Sequence, residues 1–246
     1  MFSEKILNIM TYRGSVESFV SDRKLSDFQT LEFRNVSFRY PGSEADSITK
    51  ISFSLRKGEK LAIVGRNGAG KTTLIKLLMR YYDVTKGGIF YNGTDIRKYT
   101  TSDYRNHFST IFQDFQIYAI KLEENIRMGS PAADREKMLR ALTDSGLEYL
   151  CGDLSLPMTR EFDQNGLELS GGQCQKLAIA RALYRNADIV IMDEASSALD
   201  PISEAEINRL ILEKLHNTSM IIISHRLSTI RHVDKICFVE QGRILE

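Results

Sequence analysis

The stretch LAIVGRNGAGKTTL, residues Leu61–Leu74, decides the fold of this chain. Its first four residues form a continuous apolar run, which is typical of a strand covered on both faces. The next eight, Gly65–Thr72, fit the pattern GxxxxGK[ST] without a departure, and a helix is predicted from Lys71 to about Tyr81. Glycines in such a loop let the backbone N–H groups point at phosphate oxygens, and the helix start adds its positive dipole end. The stretch therefore predicts a phosphate-binding strand–loop–helix unit, with a chance glycine turn as the alternative.

The chemistry of the loop assigns a role to each polar side chain. Lys71 is expected to bridge the β- and γ-phosphates of a nucleotide, the Thr72 hydroxyl to bind Mg²⁺, and Thr73 to reach the α-phosphate. The candidate phosphate-binding residues are Gly65, Arg66, Asn67, Gly68, Ala69, Gly70, Lys71, Thr72 and Thr73.

Two carboxylates follow a second apolar run, in DIVIMDE (Asp188–Glu194). Asp193, at the end of the predicted strand, is placed to hold the hydration shell of Mg²⁺, and Glu194 to polarise an attacking water. The alternative is that both carboxylates cap a following helix.

Strand-like and helix-like segments alternate along most of the chain. Residues between about 115 and 186 are predicted to be mostly helical. The remaining predicted segments are LEFRNVSFRY, ISFSL, LAIV, a strand near Ser109–Phe112, DIVIMD, the helical SEAEINRLILEKL, MIIISH and KICFVEQGRIL. This order predicts an α/β fold with a mostly parallel sheet covered by helices and a helical subdomain inserted into it.

Composition excludes several classes of function. The chain has 246 residues, 26% of them charged, with a net charge of +1, so no strong field recruits nucleic acid or anionic lipid. Cys151, Cys174 and Cys237 are scattered, so reduced thiols are expected rather than a disulfide or zinc site. The longest apolar runs, Ile189–Met192 and Met220–Ile223, are strand-sized, and no membrane span is predicted.

Residues 1–28 differ from the rest of the chain in their pattern of apolar and polar residues. A short apolar cluster around Ile6–Met10 precedes a mostly polar stretch from Ser15 to Ser26. We interpret the segment as an amphipathic lead-in and linker, with a frayed tail as the alternative.

Five motifs occur in the order expected of an ABC-type ATPase. They are Gly65–Thr72, LSGGQ (Leu169–Gln173), Asp188–Glu194, SALD (Ser197–Asp200) and His225. From about Leu31 to its end, the chain resembles the nucleotide-binding domain of an ABC transporter. The resemblance implies a P-loop NTPase (RecA-like) core with a mostly parallel sheet, an N-terminal antiparallel β part and an inserted α-helical subdomain. It also implies an ATPase domain over 29–246, with the helical signature subdomain at 114–186.

The resemblance further implies ATP and Mg²⁺ as ligands and adds four site residues. Tyr40 matches the aromatic that stacks on adenine, and Gln113 the glutamine that contacts Mg²⁺ and the attacking water. Asp200 resembles an aspartate that crosses a dimer seam, and His225 a histidine that contacts the γ-phosphate. The alternatives are a core-packed aromatic for Tyr40 and an ordinary loop amide for Gln113.

LSGGQ begins a predicted helix whose first N–H groups favour an anion. The resemblance implies that two such domains pair head to tail and that each LSGGQ closes over the γ-phosphate held by the other domain. Ser170, Gly171, Gly172 and Gln173 are then expected to act in trans. A homodimer is expected, with a heterodimer left open, and a glycine-rich helix cap without a ligand is the alternative.

Three features resemble exporters in which the ATPase follows a membrane domain on one chain: HRLST (His225–Thr229), LEENIR (Leu122–Arg127) and the lead-in. The expected partner is a transmembrane domain, no nucleic acid is expected, and the expected location is the cytoplasmic face of the cell membrane. The sequence departs from that group at Gln164, where a glutamate is usual, and lacks the proline common after Gln113. An importer ATPase subunit and a soluble ABC ATPase acting on DNA or ribosomes remain as alternatives, whereas a P-loop kinase has no use for LSGGQ.

Overall fold

The protein is described by a computed structural model that covers residues 26–112, 116–128, 133–193, 201–224 and 230–245. The chain divides into two compact units. The first unit comprises the residues up to Ser54, Gly65–Arg105 and the C-terminal residues from Phe238, and the second comprises Leu55–Val64 and Asn106–Cys237.

The described strands, in chain order, are β1 (Thr30–Phe38), β2 (Ile48–Arg56), β3 (Lys60–Val64), β4 (Lys86–Tyr91), β5 (Thr94–Asp95), β6 (Phe108–Phe112), β7 (Ile189–Asp193), β8 (Ser219–Ile223), β9 (Lys235–Glu240) and β10 (Arg243–Ile244). The described α-helices are α1 (Lys71–Leu78), α2 (Thr101–Asn106), α3 (Leu122–Arg127), α4 (Arg135–Asp144), α5 (Gly171–Arg185) and α6 (Pro201–Lys214). Short 3-10 helices occupy Ile96–Lys98 and Glu148–Leu150. Of the helices in these ranges, none combines the length and apolar character that crossing a membrane requires.

The first unit contains an antiparallel sheet of order β2-β1-β4-β5. β1 and β4 pair over most of their length, from Leu31 opposite Tyr91 to Ser37 opposite Lys86. In the same unit, the last residues of β9 form a hairpin with β10. The antiparallel β part predicted at the N-terminal side of the chain is thereby confirmed.

Parallel strands dominate the second unit, where β3, β8, β7 and β6 lie side by side in that order. The register pairs Phe112 with Asp193 and Asp193 with Ile223, while Ile63 pairs with Ile223. The carboxyl ends of all four strands therefore meet at one edge of the sheet, which is the edge where ligands bind in open parallel sheets. The mostly parallel sheet is confirmed.

Helix α5 is buried on two faces. Ala178, Ile179 and Ala182 belong to a hydrophobic cluster with β6, β7, β8 and α6. Leu177, Ala180 and Tyr184 belong to a second cluster with α3 and α4. This double burial explains the apolar run that follows LSGGQ, and it ties α5 to both the sheet and the helical part of the second unit.

Two predicted helical segments are shorter than expected. Helix α1 ends at Leu78 because Arg80 adopts φ +52°, with Arg80 N–H bonded to Leu77 O and Tyr81 N–H to Lys76 O. The described residues between about 115 and 186 form three α-helices, but the part from Cys151 to Ser170 is not helical.

Local hydrogen bonds explain that irregular part. The Asp153 carboxylate accepts from the Ser155 N–H at 2.8 Å, and the Asp163 carboxylate from the Asn165 N–H at 2.9 Å. Such side-chain bonds to nearby backbone groups compete with helix formation.

Candidate active site

The Lys71 side chain is hydrogen-bonded to the backbone of the phosphate loop. The side chain is almost buried, and Nζ donates to the carbonyl oxygens of Gly65 at 2.8 Å and Arg66 at 3.1 Å. Both acceptors are neutral, so they orient the ammonium without cancelling its charge. An anion that enters this loop therefore finds a positioned cation.

Two glycines make the loop possible. A Cβ on Gly65 would lie 2.2 Å from the Val239 carbonyl oxygen. Gly70, the N-cap of α1, has φ +110°, which side chains rarely allow, and its Cβ would lie 2.8 Å from Ile48 Cδ1. No side chain in the described part of the chain caps α1 there, which leaves the first N–H groups of the helix to a phosphate.

Tyr40 lies beside the start of α1. Its hydroxyl is 3.2 Å from the Thr73 hydroxyl, and Lys76 Nζ lies 5.7 Å from the centre of its ring. Phe38 and Tyr82 meet the ring edge-on, with centroids 4.8 and 5.2 Å away. The ring is half-buried, so its orientation is fixed while part of its surface stays accessible for stacking.

Hard oxygen donors suited to Mg²⁺ occur at Thr72 and Asp193, the two of the three expected ligand positions that the structure describes. Thr72 is exposed on the first turn of α1 in the first unit. Asp193 is the last residue of β7 in the second unit and is half-buried at the carboxyl edge of the sheet. A hydroxyl and a carboxylate are ligands that Mg²⁺ accepts, so these residues fit the ion.

The start of α5 is a reciprocal capping box. The Ser170 hydroxyl accepts from the Gln173 N–H at 3.4 Å, and the Gln173 side chain accepts from the Ser170 N–H at 2.8 Å. Ser170 and Gly171 are exposed, and a Cβ on Gly171 or Gly172 would meet nothing within 4 Å. Within this chain, the helix start is thus preformed and open on its outer side.

Comparison with known proteins assigns the family. The sequence model described as ABC transporter matches residues 48–197, which include the phosphate loop, the LSGGQ helix and β7. The chain belongs to the ABC transporter family. It is an ATP-binding, ATPase-type domain of that family, as the resemblance of its motifs predicts.

Two curated relatives of this ABC domain carry the words export or flippase in their names. A β-(1→2)glucan export ATP-binding/permease protein of Rhizobium johnstonii is 40% identical over 216 residues, covering 88% of this chain and 37% of the relative. An ATP-dependent lipid A-core flippase of Methylobacillus flagellatus is 38% identical over 218 residues, covering 88% and 37%. The ABC domain thus spans little more than a third of the length of these relatives.

A solved structure has the same fold as the ABC domain. It is a bacterial Atm1-family ABC exporter with ATP bound, and it matches with a TM-score of 0.85 and 32% identity. The match covers 100% of this chain and 43% of the exporter chain. The P-loop NTPase fold expected from the sequence is thereby confirmed.

Several predicted site residues of the ABC domain lie outside the part that the structure describes. They are Gln113, Glu194, Asp200 and His225, together with residues 1–25 of the predicted lead-in. Gln113 and Glu194 directly follow β6 and β7, and His225 comes two residues after β8. Their roles, and the predicted domain limits 1–28, 29–246 and 114–186, stay predictions.

Sequence reasoning missed two sets of contacts in the ABC domain, one at the Tyr40 ring and one around Asn125. Lys76 and Tyr82 contact the Tyr40 ring. Lys76 lies three residues after Thr73, on the same face of α1, and this spacing was a signal for its contact with Tyr40. Asn125 and Arg181 form a buried polar network in the second unit. A polar Arg181 inside the apolar run LAIARAL was the only local signal for that network.

Proposed function

We propose that this chain binds and hydrolyses ATP as a head-to-tail dimer and that it powers export through a transmembrane domain. The observation that carries the ATP part is the phosphate loop, in which a buried Lys71 and an uncapped α1 present positive charge to one place. Membership in the ABC transporter family supports ATP rather than another phosphorylated ligand.

Each loop residue binds a different part of the nucleotide. Backbone N–H groups of Gly65–Thr72 bind the β-phosphate region, Lys71 bridges the β- and γ-phosphates, and Thr73 reaches the α-phosphate. Tyr40 stacks on adenine with a π-face that discriminates poorly between purines.

Hydrolysis needs an activated water and charge stabilisation at the γ-phosphate. Glu194 accepts a proton from the water while the water attacks phosphorus and the bond to the bridging oxygen of ADP breaks. Thr72, Asp193 and Gln113 hold Mg²⁺, which stabilises the developing charge on the phosphate oxygens when bound. His225 contacts the γ-phosphate and stabilises the same charge.

The second half of each site comes from another domain in the dimer. The exposed, preformed start of α5 at Ser170–Gln173 offers N–H groups to the γ-phosphate of ATP held by the partner. Asp200 lies at the seam between the two domains in this arrangement. A hundredfold preference of ATP for the closed dimer corresponds to about 2.7 kcal/mol per site, which suffices for a reversible closure.

The transport part rests on the relatives. Both curated relatives described above carry the words export or flippase in their names, and each is longer than this chain. We therefore propose a transmembrane domain, on the same chain or in the same complex, as the partner at the cytoplasmic face of the cell membrane. The transported molecule is determined by that domain.

The test measures ATP turnover and ATP-dependent dimer mass in the same samples. Lys71→Ala is expected to lose both, because the phosphate contact is gone. Glu194→Gln is expected to hydrolyse ATP at least about a hundredfold more slowly while trapping the dimer, since binding remains and the base is lost.

Lys86→Ala is the matched control, because Lys86 is exposed on β4 outside the loop. It should behave as the unmodified chain does. Near-normal hydrolysis by Glu194→Gln would contradict its role as the base, and normal turnover by Lys71→Ala would contradict the proposed ATP site.

A further inference from the structure

Arg181 is a cation on α5 that donates hydrogen bonds to two backbone carbonyl oxygens and one side-chain amide oxygen. Its Nη1 donates to the Gln116 carbonyl, its Nε to the Asn125 carbonyl and its Nη2 to Asn125 Oδ1, each at 2.8 Å. Burial lowers the pKa of the guanidinium, but arginine stays charged near neutral pH. The planar guanidinium thus donates to three oxygens with its N–H groups in a fixed geometry. A lysine ammonium, on a flexible stem, cannot reproduce this geometry.

Asn125, on α3, is fully buried and uses its whole amide. Oδ1 accepts from the Tyr118 N–H at 3.0 Å, and Nδ2 donates to the carbonyl oxygens of Tyr118, Ile120 and Lys121 at 2.9 to 3.2 Å. Oδ1 is also the atom that Arg181 binds. Arg181 and Asn125 therefore form one connected network around residues 116–121.

This network joins two parts of the chain that lie far apart in sequence. Residues 116–121 begin three positions after Gln113, whereas Arg181 lies on the helix that starts after Ser170. The ten residues between Gly171 and Arg181 span about 15 Å of continuous helix. Movement of either end of α5 is transmitted to the other because the helix is stiff and packed on two faces.

We propose that Arg181 is a positioning residue that keeps the segment following Gln113 in register with the LSGGQ start of α5. In the proposed ATPase, Gln113 serves the phosphate bound by its own chain, while Ser170 serves the phosphate of the partner. Coupling the two through Arg181 makes engagement of Ser170 at one site change the position of the segment beside Gln113 at the other. The inference rests on the proposed function for this catalytic consequence, whereas the network itself stands on the geometry.

The first measurement is hydrogen exchange at the Tyr118 amide, whose acceptor is Asn125 Oδ1. In Arg181→Lys, exchange at this amide should be at least about tenfold faster, because the acceptor loses its second partner and the segment loosens. In the unmodified chain, ATP should slow exchange at Tyr118 and at the start of α5 together. In Arg181→Lys, ATP should slow exchange only at the start of α5.

The second measurement separates binding from catalysis. ATP affinity should stay within about twofold in Arg181→Lys, because the loop residues that bind ATP are unchanged, whereas kcat should fall about tenfold or more through misplacement of the segment. Arg185→Lys is the matched control. It removes the same atoms one helical turn later, where Arg185 donates to Asn106 instead of to residues 116–121.

A role limited to stability predicts a different pattern. In that case kcat would follow the folded fraction, and the Arg181 and Arg185 variants would lose activity in proportion to their thermal stability. Equal kcat for the two variants, or an ATP response at Tyr118 that survives Arg181→Lys, would overturn the proposal. If the unmodified chain does not hydrolyse ATP, the proposed function fails, yet the exchange difference at Tyr118 without ATP still tests the network.

Discussion

At the scale of single residues, several cations in the described part of the chain bind backbone carbonyl oxygens, and Lys71, Arg181 and Arg80 show how far away such partners can lie. Lys71 binds Gly65 and Arg66, six and five positions away, whereas Arg181 binds Gln116, 65 positions away. Arg80, 1% exposed, binds the Tyr99 carbonyl at 2.9 Å, 19 positions away. The sequence predicts the place of Lys71 because its partners lie in one motif. No local pattern contains the Tyr99 and Gln116 carbonyls, so these two contacts emerge only from the fold.

The ring of Tyr40 yields a prediction at this scale. Tyr40→Leu should raise the Kd for ATP about tenfold, because base–aromatic stacking contributes about 1–3 kcal/mol. Affinity for inorganic tripolyphosphate, measured by competition, should stay unchanged. Tyr40→Phe is the matched control, since it keeps the ring and removes only the hydroxyl near Thr73. An equal loss for ATP and tripolyphosphate in Tyr40→Leu would show that Tyr40 supports the loop instead of the base.

At the scale of elements, α1 and α5 both have an open start, and the end of α1 is fixed by side chains. The end of α1 is held by Tyr104 Oη, which donates to Leu78 O at 2.9 Å, and by Arg105, which donates to Met79 O and Arg80 O. The donors come from α2, which sequence reasoning did not assign. It also left out β4 and β5, although Asn92-Gly93 between them is a strong hairpin signal. Short strands and helices carry too little periodicity to be recognised without such turns.

The hydrogen bond at the end of α1 yields a prediction about stability. Tyr104 is fully buried, so Tyr104→Phe leaves the Leu78 carbonyl without this donor in an apolar environment. The free energy of unfolding in urea should fall by about 1–2 kcal/mol. Tyr82→Phe is the control, because the half-exposed Tyr82 leaves its hydroxyl within reach of water. Equal stability of Tyr104→Phe and the unmodified chain would mean that α1 does not depend on this bond.

At the scale of the whole molecule, the parts of the proposed site are distributed over two units of the chain. The phosphate loop and Tyr40 belong to the first unit, and Asp193 and the LSGGQ helix to the second. Motif order in the sequence was enough to predict this family and its fold, because each motif is local and specific. The pairing of two chains is not written in any one motif. It is inferred from the resemblance to the family, and the exposed, preformed start of α5 supports it. A net charge of +1 gives little repulsion between two copies.

If each ATP site is built from two molecules, mixing two inactive variants should restore activity. Lys71→Ala damages the phosphate loop and Ser170→Arg blocks the α5 start, so neither variant alone forms an intact site. A mixed dimer keeps one intact site, so an equal mixture should recover about a quarter of the unmodified ATPase rate.

The matched control mixes Ser170→Arg with a chain carrying both substitutions, a pair that can form no intact site. ATP turnover should rise only when the two single variants are mixed, and it should rise with mixing time as the dimers exchange. A rate that never exceeds the sum of the two variants measured separately would contradict ATP sites built from two molecules.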